Sequence, residues 1–183
     1  MLPILFVFVV CYQLTDSRRF YPHRKVIDEF KKSLTGYAIK PGDSRYQNVS
    51  TMKNSFYYRH PGLIVMASSV EDVQKSVLFA KRYNLHVTVH SSGHDYNGRS
   101  TADGSLMIDL SSMKEININL NSTRHAAGEV TVDSGNSWLG IYKRVQSVDR
   151  VVVGGSSHTV SPGGYTLGGG HSPISRSFGL ASD

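Results

Sequence analysis

LIVMASSVEDVQKSVLFAKRYNLHVTVHSSGHDYNG, residues 63–98, is the stretch on which the fold turns. Leu63 to Ala67 is an apolar run of strand length, set off by His60-Pro61-Gly62, and has the pattern of a buried strand. Ser68 or Ser69 caps a following helix that carries Val70, Val73, Val77 and Ala80 on one face. Glu71 and Asp72 in its first turn and Lys81 and Arg82 in its last complement the helix dipole. Asn84 closes the helix, and Leu85 to His90 alternates as a second strand. A strand-helix-strand unit with so short a crossover predicts two parallel neighbouring strands. The second runs directly into Ser91 to Gly98, a loop of small and polar residues.

Downstream, Ser105 to Leu110 reads as a strand and Ile116 to Leu120 as a weaker one. His125 to Ala127 and Glu129 to Asp133 have the pattern of hairpin arms around Gly128. Ser134-Gly135-Asn136 turns into a helix from Ser137 to Val148, with Trp138, Ile141, Tyr142 and Val145 on its apolar side. Arg150 to Val153 follows as a short apolar strand, leading into GGSSHTVSPGGYTLGGG, residues 154–170. Upstream, Val26, Ile27, Phe30 and Leu34 form a helical stripe within Arg24 to Leu34. Residues 35–58, with Pro41-Gly42-Asp43 as a turn, read as an irregular lead-in. There is no internal repeat. The expected class is α+β: one parallel unit, then a β-rich part.

With 183 residues, 39% hydrophobic and 19% charged, the chain suits a single globular domain with a real core. Its formal net charge of +6 is spread along the chain, with close basic runs near the N-terminus at Arg18-Arg19, His23-Arg24-Lys25 and Lys31-Lys32. No basic stripe with interleaved aromatics occurs, so the charge reads as a solvated surface that favours phosphate-bearing ligands over nucleic acid. Met1 to Val10 is apolar but too short to span a bilayer, and reads as a secretory signal covering residues 1–17. No basic residue precedes the run, which leaves a buried strand or a membrane anchor as alternatives. Cleavage near Ser17 removes Cys11, the sole cysteine, and with it any disulfide or thiolate chemistry. Sequons at Asn48 and Asn121 agree with a secreted chain that has no stable membrane insertion after cleavage. The expected division is a signal at 1–17, a lead-in with a short helix at 18–57, and the main domain at 58–183.

Ser, His and Asp invite a hydrolase reading, but Gly-x-Ser-x-Gly does not occur. His90, His94, His158 and His171 lie in loop-like sequence without a carboxylate cluster, so no metal site is expected. Neither a phosphate loop of the Gly-x-x-x-x-Gly-Lys type nor a Gly-x-Gly-x-x-Gly after a strand is present. Two small-residue loops remain, 91–98 and 154–170, each following an apolar strand. Successive amides in such loops can converge on a pyrophosphate. The alternative is two ordinary tight turns, although seven glycines within residues 154–170 carry a large cost in chain entropy for a casual turn.

SSGHDYNG resembles the flavin-anchoring loop of the berberine-bridge-enzyme-like FAD-linked oxidases, and VVVGGSSHTVSPGGYTLGGGHSPISRSFGLASD resembles that family's second signature. LMIDLSSM and the strand-helix-strand unit are similar to the segments around them, so the likeness runs from about Tyr58 to Asp183. The resemblance implies a two-lobed, PCMH-type FAD-binding domain of the vanillyl-alcohol oxidase superfamily, incomplete at its C-terminus, with FAD between the lobes. It implies that His94 bonds covalently to the flavin 8α carbon, and that Ser91, Ser92, Gly93 and Asp95, with Tyr96 and Gly98, form the first cofactor loop. The second comprises Gly155, Ser157, Thr159, Val160, Gly163, Gly164, Tyr165, Gly168, Gly169 and Gly170. Ser157 stands where many members carry a cysteine that forms another flavin bond, which implies a single tether here. Val160 matches a position associated with oxygen access, and Tyr165 one near the ribityl chain. Ser91-Ser92 and Ser161-Pro162 depart from the usual smaller residues, narrowing the expected site, and Pro162 removes an amide donor.

The implied activity is that of a secreted oxidase. It takes hydride from a hydroxyl- or amine-bearing small molecule or carbohydrate onto flavin N5 and passes the electrons to oxygen. The catalytic base belongs to a part of the family's chain beyond Asp183. The alternative is a truncated flavin-binding fragment without activity.

Overall fold

The computed structural model describes residues 21–183; the expected signal segment and Cys11 lie outside the described residues. A four-stranded sheet forms the first lobe. Its strands are β1 (Tyr37–Ile39), β2 (Leu63–Met66), β3 (Val87–His90) and β4 (Leu106–Asp109), in the order β1-β2-β4-β3. β4 is parallel to both of its neighbours, with Leu63 and Val87 each in register with Leu106, and β1 adds antiparallel at the edge.

β2 and β3 are therefore parallel but not neighbours, because β4 lies between them. Burial explains the insertion. All four residues of β2 and of β4 are buried, a pattern that requires cover on both faces, whereas β3 exposes Val89 and tolerates the edge. Leu63, Val65, Leu106 and Ile108 meet α1 (Arg24–Ser33) and α3 (Val70–Arg82) through Phe30, Phe79 and Ala80. On the other face Ile64, Met66 and Met107 pack with Ile39 and with Tyr46 of α2 (Tyr46–Ser50). The lead-in is thus not irregular throughout: it supplies β1, too short for an alternating pattern, and α2.

α3 begins at Ser69, whose hydroxyl accepts from the Asp72 amide, but its buried face differs from the expected one. Val70 and Val77 are 58% and 47% exposed, while Asp72, Ser76, Phe79 and Ala80 are buried. Two contacts set this rotation. Phe79 stacks on Phe30 with ring centroids 4.1 Å apart, and the Asp72 carboxylate accepts from the amides of Thr35, Gly36 and Ser68 at 2.8–3.0 Å. Those bonds outweigh burial and hold the carboxyl below its ordinary value.

The second lobe is an antiparallel pair, β5 (Ile116–Asn119) and β6 (Glu129–Val132), packed on α4 (Trp138–Gln146). The expected hairpin from 125 to 133 is corrected: β6 pairs with β5, and residues 120–128 form the connection, closed by the Gly128 amide on the His125 carbonyl. The strand expected from Arg150 to Val153 is also corrected: these residues form no ladder among the described residues, and Val151 is 78% exposed. Two short helices, α5 (Pro162–Leu167) and α6 (Ser175–Phe178), interrupt the glycine-rich stretch that the sequence presents as loop. No described helix is long and apolar enough to cross a membrane.

Candidate functional site

β3 ends on a fixed base. His90 Nδ1 lies 2.6 Å from Asp109 Oδ2 in a buried pair, and the Leu110 amide donates to the His90 carbonyl, so the ends of β3 and β4 cannot separate. The loop of residues 91–98 rises from this base. Gly93 has φ +70° and a Cβ there would approach His90 Nε2 to 2.9 Å, so the position requires glycine for conformation and for room. Asp95 closes the loop on itself, accepting from the Arg99 amide at 2.6 Å and from the Arg99 guanidinium at 2.9 Å. That guanidinium holds the Asp95 carboxyl below its ordinary value.

The second lobe presents the stretch from Gly154 against the same loop. α4 positions it: the amides of Trp138 and Leu139, free in the first helical turn, donate to the carbonyls of Val160 and His158. Gly155 packs against the Trp138 indole and its carbonyl accepts from Tyr142. Two side-chain hydrogen bonds then join the two stretches, and a third ties the loop to Ser134 ahead of α4. His94 Nε2 lies 2.8 Å from Thr159 Oγ1, the Ser161 amide donates to Ser92 Oγ at 3.1 Å, and Ser91 Oγ lies 2.9 Å from Ser134 Oγ.

Between the lobes is a cleft of 790 Å³, in the range of small-molecule and cofactor sites. Its walls contain Ser91, Ser92, Gly93, His94, Asp95, Tyr96, Val160, Gly163, Gly164, Tyr165 and Gly168. Six expected positions lie elsewhere. Gly98 is beneath Tyr57, Gly155 beneath Trp138, and Gly169 and Gly170 pair with Ser182 and Ala181 in the C-terminal turn. Thr159 touches the site through His94, and Ser157 is exposed, its carbonyl taking the Val160 amide. Tyr165 lines the cleft with its hydroxyl committed to the His171 carbonyl at 2.6 Å. Pro162 removes no useful donor, since it sits at the first position of α5, where an amide has no helical partner.

Several cleft residues escaped the sequence reading. Ser134 pairs with Ser91 and lies 2.1 Å from where a Cβ on Gly163 would stand, so Gly163 admits this contact. Leu110, Val89 and Arg99 also line the cleft. Alternation in LHVTVH marks Val89 as one face of a strand; Ser134 carries no signal, since its partner is 43 residues away.

His94 is half-buried, and burial first and the Lys53 ammonium second hold its imidazole below the ordinary value of 6.5. With Nε2 on Thr159, Nδ1 has no hydrogen bond among the described residues. The amides of Ser92, Gly93 and His94 likewise donate to no atom among the described residues, so three successive N–H groups are free for an anion. Unpaired amides, a cleft of cofactor size and a neutral imidazole in its wall fit a flavin dinucleotide. Among the described residues no group of three or more His, Cys, Asp or Glu converges.

Residues 61–183 match the family described as FAD binding domain. Among curated relatives, the FAD-linked oxidoreductase patO of Aspergillus clavatus is 39% identical over 121 residues, 65% of this chain and 21% of that protein. Among solved structures, 6-hydroxy-D-nicotine oxidase of Arthrobacter nicotinovorans superposes with a TM-score of 0.76 at 30% identity, covering 82% of this chain and 32% of its own. The berberine-bridge-enzyme-like protein 1 of Physcomitrella patens gives 0.78 at 26% identity, covering 86% and 34%. This chain therefore spans between a fifth and about a third of the length of these proteins.

Proposed function

The chain belongs to the FAD-binding-domain family of FAD-linked oxidoreductases, and from that membership we propose that it is the cofactor-holding part of a secreted oxidase whose flavin is bonded to His94. The observation that carries this reading is the meeting of His94 with Thr159, 65 residues away, across the mouth of a cleft with free loop amides. When bound, the flavin supplies hydride acceptance from a hydroxyl- or amine-bearing small molecule or carbohydrate and returns the electrons to oxygen.

The protein's own residues prepare the site. Ser92, Gly93 and His94 offer amides to the pyrophosphate, with Ser91 beside them in the cleft wall, and the phosphate-attracting positive charge of the chain also favours it. In the tautomer that donates Nε2–H to Thr159, the lone pair of neutral His94 is on Nδ1, the atom free to bond carbon. His94 would hold the flavin through Nδ1, the C–N bond replacing a C–H bond of the 8α methyl group, and the two protons and two electrons released would pass to oxygen as hydrogen peroxide. Val160, in the cleft wall, is the residue that governs access of oxygen in this reading, and Tyr165 holds the wall against Trp138 with ring centroids 5.0 Å apart.

Acid precipitation of the protein tests the tether. Yellow colour stays with the pellet in the native protein and passes wholly to the supernatant in His94→Ala; colour retained by that variant removes His94 from the role. Secretion also predicts glycans at Asn48 and Asn121, both exposed, although Asn48 lies on α2 rather than a loop. A mass decrease on enzymatic deglycosylation that is absent from the Asn48→Gln/Asn121→Gln double variant checks this.

A further inference from the structure

The cofactor loop has a second brace besides the glycine-rich stretch. It comes from residues 53–57, which belong to neither lobe's regular structure. The Lys53 amide donates to the Gly93 carbonyl at 3.1 Å, and Asn54 Nδ2 donates to the Tyr96 carbonyl at 2.8 Å, so adjacent residues hold the loop on both sides of His94. Asn54 is itself fixed: its Oδ1 accepts from the Phe56 amide at 3.1 Å and its carbonyl from the Tyr57 amide at 3.2 Å. The turn so formed sets the Tyr57 ring against Gly98, where a Cβ would come within 2.5 Å of Cγ. One segment thus touches the loop at residues 93, 96 and 98.

We infer that Asn54 is a positioning residue for His94: through the Tyr96 carbonyl it holds the loop in the one geometry that presents the imidazole to the flavin. This inference rests on His94 being the flavin tether. Binding of FAD through the amides of Ser92, Gly93 and His94 does not need the Tyr96 side of the loop, whereas bond formation requires the ring to reach one carbon in one orientation. Loss of the Asn54 donor therefore acts on attachment more than on affinity. The Lys53 ammonium works in the same direction by favouring the neutral ring.

The test uses the full chain supplied with FAD and follows the colour that survives acid precipitation against time. Asn54→Asp keeps an oxygen for the Phe56 amide and replaces the donor to Tyr96 with a carboxylate oxygen that repels the carbonyl. We expect FAD affinity and melting temperature as in the native protein, with attachment slowed about five-fold, as befits one lost hydrogen bond. Attachment at the native rate overturns the inference. A loss of FAD affinity and melting temperature in step with the slower attachment also overturns it, since Asn54 is then a fold residue alone. His94→Ala, run alongside, separates the two readings: covalent flavin in that variant rejects the tether itself, whatever Asn54→Asp does.

Discussion

His94 stays neutral to a lower pH than an ordinary imidazole because burial opposes its charge and Lys53 repels it. The proposed attachment needs the neutral form, so its rate falls with acid at a lower pH than it would for an ordinary imidazole. Lys53→Gln removes the repulsion, raises the His94 pKa toward 6.5 and moves the fall in attachment rate to higher pH; Lys53→Glu moves it further. Rates of acid-stable flavin incorporation between pH 5 and 8 check the direction. The same shift disfavours the folded state in acid, the cost entering as pH drops below 6.5 and reaching its limit below the folded-state pKa. His94 itself was legible in the sequence because its neighbours form a motif. Lys53, Asn54 and Ser134 were not, for two of them act on backbone carbonyls, which any residue supplies, and the third meets a serine far away in the chain.

Among the elements, β2, α3, β3, β4 and α4 follow from apolar spacing and capping residues, and their bounds differ from the expected ones by one or two positions. What spacing does not carry is lateral order. A run such as Leu106–Asp109 signals burial on both faces, and weighing that against the half-exposed alternation of β3 is what puts β4 in the middle. The face of α3 was hidden for another reason: Asp72 behaves as a core residue because three amides from β1 and β2 flanks receive it. Asp72→Ala leaves these donors unpaired and costs about 1–3 kcal/mol or more, read as a lower denaturant midpoint. Because the Asp72 pKa is depressed, its contribution is complete above the ordinary carboxylate range and disappears as pH falls through the folded value. Ser69→Ala, which removes only the cap, costs about 1 kcal/mol.

At the scale of the molecule, the two lobes meet through the loops that line the cleft, so a ligand there ties one lobe to the other. In His94→Ala, where FAD binds reversibly, FAD at a hundred times its Kd raises the unfolding free energy by about 2.7 kcal/mol. Hydrogen exchange then slows in residues 91–98 and 160–168 together; slowing in one stretch alone contradicts a bridging ligand. Two-lobed architecture was visible only through the resemblance, since nothing in local spacing says that β5, β6 and α4 build a separate core around Trp138. The central place of β4 also sets a timetable. During synthesis β2, α3 and β3 leave the ribosome before Leu106 exists; until Asp109 has emerged β2 has only β1 beside it and β3 has no partner. Nascent chains halted before residue 105 hold α3, an unpaired β3 and the open edge of β2, which chaperones can bind; those halted well past residue 109 join β3 to the β1-β2 pair in one step and acquire protease resistance abruptly rather than by degrees.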